Sequence, residues 1–474
     1  MLNLLPQQND SLIANPLPPS QTSTPLTLKE QITKHWHKQK RKYYWSLAGL
    51  GLIIIFLAGG WAGYVYSQQH RNNQAETNPK VAFLLEIYDK IKQNYWDKIP
   101  DDQLSSLYKL GAEKIVGQPQ NLTTPDRTGV KAMLNRLIKN MNEQQQKDLA
   151  VNLGDLVLAN LKPFNRSRLF TLTKEKELRD TVSNIDHTTD LYKTLGVDKN
   201  ASEQQIAQTF QQKVDQLKKD NSPQAQQQLA EVNRAYQALG NAQTRQTYDS
   251  TGAEPTVIGR VIEPDMFYLQ IKRISPTTLD EFQKVANNSD ANKKLTTLIL
   301  DLRGNIGGAI DILPYFLGFF LGNNNYAYEF YHQGQPVPFA TKTTWLPGLV
   351  KFKKVVILTD DATQSTAEVI TASLKKYNVG VVLGSPTKGW GTVENTFPLD
   401  TVIDSNESYS IFMVHSLTLR DDGQPIEGKG VDPTINIKDP TWSQQLMAYF
   451  NYQGLVDAIK TLIQPNPPNL EPKK

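Results

Sequence analysis

A serine attacks a carbonyl only when one group takes its proton and another holds the oxyanion that forms. The chain offers a candidate for each part. Ser365, in "VVILTDDATQSTAEVITASLKKY", follows an apolar run and opens a segment with Ala367, Ile370, Leu374 and Tyr377 on one helical face. Read alone, Ser365-x-x-Glu368 is a capping box, with Glu368 the helix-cap partner. Upstream, "LILDLRGNIGGAIDI" runs strand, turn, helix. Its adjacent Gly307 and Gly308 let backbone amides approach an oxyanion closely, although a tight turn needs glycine for structural reasons too. Downstream, "SPTKGWGTVE" places Lys388 before two glycines that bracket Trp390. Whether this loop supplies a base or only keeps the outline of one is the chemical question.

Other chemistries recede. The 474 residues include no cysteine, which excludes disulfides and thiolate nucleophiles. Six histidines are scattered without HExxH, and no acidic cluster has metal spacing, so neither a metal nor a cofactor is expected. A net charge of +4 is too small and dispersed to argue for nucleic acid.

The elements that must position these residues form several regions. From Tyr43 to Gln69 no residue is charged, and "LAGLGLIIIFLAGGWAGYVY" supplies the ~20 apolar residues a membrane-spanning helix needs. We expect a single span over 43–67. Lys34, Lys38, Lys40, Arg41 and Lys42 precede it and only Arg71 follows closely. The positive-inside rule therefore keeps a disordered tail, 1–42, cytoplasmic and the rest extracytoplasmic. The length of the span and its distance from the N-terminus argue against a cleaved signal peptide. Residues 80–186 read as helices: "VAFLLEIYDKIKQNYW" sets Phe83, Leu84, Ile87, Ile91 and Tyr95 on one face. A Gln- and Ala-rich helical block covers 187–252. From 255 to 440, β-branched runs alternate with helical stretches, the texture of an α/β domain. "AIDILPYFLGFFLG" is too short to span a membrane and reads as a core helix. One helix and a Pro/Lys-rich tail complete 441–474.

From about Met266 to Ile437 the chain resembles the core of the C-terminal processing (tail-specific) serine peptidases. "LILDLRGNIGG" is similar to that family's strand and Gly-Gly turn, with Ile306 where proline is usual. "ATQSTAEVITASL" resembles its nucleophile segment, with Ser365 as the matching serine. "VGVVLGSPT" resembles the strand leading to the catalytic lysine, and "DDGQPIEGKGVDPTINI" the end of the core. The resemblance implies a crotonase-like α/β fold, unfolded or tail-exposed polypeptide as substrate, and a serine–lysine dyad. In such a dyad a neutral lysine takes the serine proton, so its pKa must fall from ~10.4 toward ~7–8. Carried on without a gap, the family's "F-G-K-G" falls on Lys388-Gly389-Trp390-Gly391, which puts Trp390 at the lysine position. The glutamine that usually orients the lysine becomes Glu394. Indole only donates a hydrogen bond and cannot act as a base. Lys388 would replace the base only if the loop slid by two residues, because extended positions i and i+2 lie ~6.6 Å apart. Otherwise it is an exposed loop lysine, the reading we favour.

"DLYKTLGVDKNASEQQIAQTF" with "LAEVNRAYQALGNAQTRQTYD" resembles a J domain. That resemblance implies a His-Pro-Asp tripeptide acting on the seventy-kilodalton chaperone, but the aligned residues are Lys218, Lys219 and Asp220. Chaperone stimulation is therefore not expected. About 13 residues separate Gly252 from Met266, too few for the PDZ domain the peptidase family usually carries there. The expected protein is a membrane-anchored, degenerate peptidase that binds polypeptide partners. The alternative is an active endopeptidase using Lys388. Oligomerisation stays open.

Overall fold

The structure is a computed structural model. It describes residues 78–464 apart from 221, 291–293 and 421. The span expected over 43–67, the tail 1–42 and the last ten residues lie outside these. Among the described residues no helix is long and apolar enough to cross a membrane.

Four helices come first: α1 (Pro79–Asn94), α2 (Asp101–Val116), α3 (Arg127–Ile138) and α4 (Glu143–Ala159). Their starts are chemically marked. The Asn78 side chain accepts from the Lys80 N–H, Asp126 accepts from Gly129, and Asn142 with Gln145 forms a capping box. The α1 face read from the sequence is buried, with Phe83, Ile87 and Ile91 fully inaccessible. The region is not wholly helical as expected, because β1 (Arg168–Thr171) precedes α5 (Leu172–Val182). Four residues are too few to show a period; tertiary pairing makes this strand. It lies antiparallel on β10 (Tyr409–Thr418), and Phe170 stacks on Phe412 at 4.8 Å. The same core takes in Ile403, Ile411 and Met413 from the C-terminal half, so these helices are part of the peptidase-like body.

Within 187–252 lie α6 (Leu191–Leu195), α7 (Glu203–Leu217), α8 (Pro223–Leu239) and α9 (Ala242–Thr251). Leu195, Ile206, Val214, Ala235 and Leu239 form their own buried core.

The α/β part continues with β2 (Val257–Ile262), β3 (Met266–Ile271), α10 (Thr278–Asp290), β4 (Thr297–Asp301), α11 (Leu313–Leu321), β5 (Tyr326–His332) and β6 (Gln335–Ala340). A short α12 (Pro347–Val350) leads to β7 (Lys354–Thr359), α13 (Thr366–Lys376), β8 (Val381–Gly384), β9 (Thr392–Pro398), β10 and β11 (Ile435–Asn436). The main sheet has the order β11-β8-β7-β4-β3-β2, parallel except for the edge strand β2. Alternate strand residues face opposite layers. Phe267, Leu269, Leu298 and Ile357 join Phe282, Phe316 and Ile370 of the helices on one side. Met266, Tyr268, Ile299 and Val356 meet Leu446, Leu455 and Ile459 on the other. A sheet covered on both faces explains runs such as "TLILD", which are apolar throughout rather than alternating. The second covering layer is α14 (Trp442–Phe450) and α15 (Gln453–Leu462), where one helix was expected. Asn451, at φ 46°, breaks the pair; asparagine tolerates this left-handed geometry. A second sheet built on β10 holds β1, β5, β6 and β9.

Candidate active site

Ser365 stands between β7 and α13, at the C-terminal edge of the parallel sheet. Two strand-end turns are locked together there. Asp360 Oδ1 accepts from the Gly304 and Thr363 N–H groups (2.9 and 2.8 Å), the Thr363 hydroxyl donates to Leu302 O, and Gln364 N–H to Asn305 O (2.9 Å). In this frame Ser365 takes φ 56° and ψ −127°, territory that side-chain-bearing residues rarely occupy. The expected capping box forms in one half. Glu368 Oε2 accepts from the Ser365 N–H at 2.9 Å, but the Glu368 N–H goes to the Ser365 carbonyl (2.8 Å) and the hydroxyl caps nothing. An N-cap side chain needs its backbone in the β region, which φ 56° denies. Ser365 thus sits, half-buried, on a strained strand-to-helix bend.

Gly307 lies directly against it. A Cβ there would stand 2.7 Å from the Ser365 Cβ. At Gly308 a Cβ would stand 2.0 Å from Ile274 O, so neither position admits a side chain. The Gly307 N–H is already engaged by the buried Asn305 Oδ1 at 2.8 Å. Gly308 is tied down through its carbonyl, which accepts from the Thr366 hydroxyl (2.9 Å). Among the described residues the Gly308 and Thr366 amides, both close to Ser365 along the chain or across the turn, donate to no protein acceptor.

The glycine loop closes over the same carboxylate. Glu368 is fully buried. Its Oε1 accepts from the Thr387 hydroxyl and the Gly389 N–H (2.8 Å), and its Oε2 from the Ser365 and Trp390 N–H groups (2.9 and 2.8 Å). Burial pushes the Glu368 carboxyl above the usual carboxylate range, with these donors pulling against it. Because one oxygen holds both amides, the backbones of residues 365 and 390 are neighbours. The Lys388 N–H instead donates to Thr363 O (2.9 Å), and the residue is exposed.

The indole of Trp390 is boxed in. Its Nε1 donates to Glu394 Oε1 (3.3 Å), which also accepts from the Thr392 hydroxyl. Burial pushes the Glu394 carboxyl up, while these hydrogen bonds and the charge of Arg166 oppose it. The Arg166 guanidinium lies 3.3 Å from the Trp390 ring centroid and donates to Glu427 Oε1 (3.0 Å). Glu427 Oε2 in turn accepts from the Gly391 N–H at 2.8 Å. Sequence reasoning missed Arg166 and Glu427. Arg166 comes from the α4–β1 loop, far away in the chain, and no local pattern marks it. Lys218, Lys219 and Asp220 lie apart from this site, in the turn between α7 and α8, where Asp220 Oδ1 accepts from the Ser222 N–H (2.8 Å). Among the described residues no three His, Asp or Glu side chains gather as a metal site.

The profile of Peptidase family S41 matches residues 265–437, and that of the DnaJ domain matches residues 190–249. Carboxy-terminal processing protease CtpA of Bacillus subtilis strain 168 is 27% identical over 216 residues, 45% of this chain and 43% of that protein. A probable CtpA-like serine protease of Staphylococcus epidermidis is 30% identical over 145 residues, 31% of this chain and 28% of its own. The chain thus spans less than half the length of these curated relatives. Among solved structures, the photosystem II D1 C-terminal processing protease aligns with 76% of this chain and 94% of its own at 13% identity, with a TM-score of 0.46.

Proposed function

With residues 265–437 a tail-specific S41 serine peptidase core and residues 190–249 a DnaJ-type insert, we propose that the protein is a degenerate peptidase that binds polypeptide without cleaving it. One observation carries this reading: Ser365 and Trp390 donate their amides to the same oxygen of Glu368. Their backbones are therefore neighbours, and the indole that Trp390 carries there takes no proton. The Lys388 N–H donates to the carbonyl of Thr363, in the same turn as Ser365, and the residue is exposed, whereas a general-base lysine needs burial to become neutral. The relatives named for carboxy-terminal processing support polypeptide as the ligand class. We read the insert as a structural or partner-binding module, since Lys218 and Lys219 stand where a J domain would use His and Pro. The sequence 43–67 and its flanking charges support a single-span anchor with the folded part outside.

Purified full-length protein should leave casein intact. Losing general-base assistance is worth ~10²–10⁴ in rate, and among the described residues no side chain accepts a hydrogen bond from the Ser365 hydroxyl. The active alternative keeps one observation in its favour, the uncapped serine on strained backbone. Cleavage abolished by both Ser365→Ala and Lys388→Ala would establish that alternative.

A further inference from the structure

Between Phe330 and Thr359 the chain carries four lysines, Lys342, Lys351, Lys353 and Lys354, and no acidic residue. The stretch from Thr344 to Lys353, around α12, has two sides. Leu346, Leu349 and Phe352 fall three residues apart and are buried in the core with Phe282 and Phe319. Trp345 and Val350 are 57% and 55% exposed, and Lys353 is exposed with them. The display is fixed rather than loose. The Leu346 N–H donates to Phe319 O (3.1 Å), and a Cβ at Gly322 would stand 2.8 Å from the Trp345 ring. Beyond α12, Lys353 lines a groove of about 580 Å³ with Lys375 and Lys376 from the end of α13. Tyr449 of α14, 61% exposed, also lines it, and among the described residues no carboxylate does. Single exposed apolar residues are ordinary; a tryptophan and a valine flanking one buried turn, with lysines on both sides, make a patch.

We infer that this segment rests on an anionic lipid bilayer, with Trp345 and Val350 among the headgroups and the lysines on lipid phosphates. Lysine is depleted in protein–protein interfaces, which disfavours a protein partner. Tryptophan and lysine together suit the bilayer interface: indole settles at headgroup depth, and long lysine stems carry the ammonium to phosphate. The missing acidic residues matter here, because each one would repel an anionic surface. The patch adds to the anchor proposed above and does not depend on it. It would also set which way the core faces. Lys354 opens β7, and the turn carrying Ser365 follows the far end of that strand. A core lying on lipid by the first end turns Ser365 toward water, where a polypeptide can reach it.

The chain has no cysteine, so Val350→Cys in the full-length protein gives a single labelling site for a polarity-sensitive fluorophore. Val402→Cys, at a position 70% exposed, is the control. In nanodiscs of phosphatidylcholine with phosphatidylglycerol, emission from position 350 should shift to the blue relative to phosphatidylcholine alone. Lipids brominated near the headgroup should quench it. The control should stay unchanged in both. Lys351→Gln with Lys353→Gln should remove most of the shift, each lysine at an anionic surface being worth about fivefold in affinity. Raised salt should do the same by screening. Emission at 350 that is the same in both lipids would overturn the inference, as would an equal shift at 402. So would a shift untouched by the lysine pair in protein that melts as the parent does. A shift that follows protein concentration in detergent would mark contact between copies and overturn it too. Should the full-length protein fail to enter neutral nanodiscs yet bind anionic vesicles through position 350, the anchor falls and the patch stands.

Discussion

On the reading proposed above, Trp390 and Glu394 together decide how a base could be restored at position 390. A lysine at position 390 would lie beside the Glu394 carboxylate, which favours the protonated ammonium and so keeps it from acting as a base. Trp390→Lys alone should therefore recover little activity on casein, whereas Trp390→Lys with Glu394→Gln should recover more, toward the ~10²–10⁴ that a general base contributes. If the double variant stays as inert as the parent while its fold is intact, the base is not what the site lacks. Glu368 shows how far a residue pattern reaches. Ser365-x-x-Glu368 was legible as a cap, and the carboxylate does hold the Ser365 amide. That the same carboxylate also holds Thr387, Gly389 and Trp390 is a tertiary fact, invisible to spacing along one helix.

The α4–β1 loop brings Arg166 onto the Trp390 ring, and this stack joins the N-terminal helices to the glycine loop. Arg166→Ala removes a cation–π contact and the Glu427 pairing, each partner being 17% and 16% exposed. The expected cost is about 1–3 kcal/mol, and the Trp390 emission should shift to the red as water reaches the indole. A melt and emission spectrum unchanged from the parent would refute the stack. Elements with long periodic faces were readable: α1 from its three- and four-residue spacing, β4 and β7 from β-branched runs. What escaped was short or was decided at a distance. β1 exists because β10 needs a partner for residues 409–412, and the break at Asn451 is one residue in a left-handed turn. The tail-specific core itself was legible because its motifs are local and ordered along the chain.

For the whole molecule, residues 265–437 match the S41 profile and 190–249 the DnaJ profile, and the proposed anchor over 43–67 precedes both. Protease added to intact cells should digest an epitope at the C-terminus, given five basic residues before the apolar run and one just after. Complete protection of that epitope would refute the outward orientation. The strained turn at Ser365 bears on the history of the molecule. At φ 56° and ψ −127° a side-chain-bearing residue gives up about 1–3 kcal/mol that glycine would not. Ser365→Gly would relieve that strain, yet the position carries a serine. On the degenerate reading proposed above, two substitutions, Trp390→Lys and Glu394→Gln, would separate this chain from the family's dyad, and the nucleophile's costly turn would already be in place.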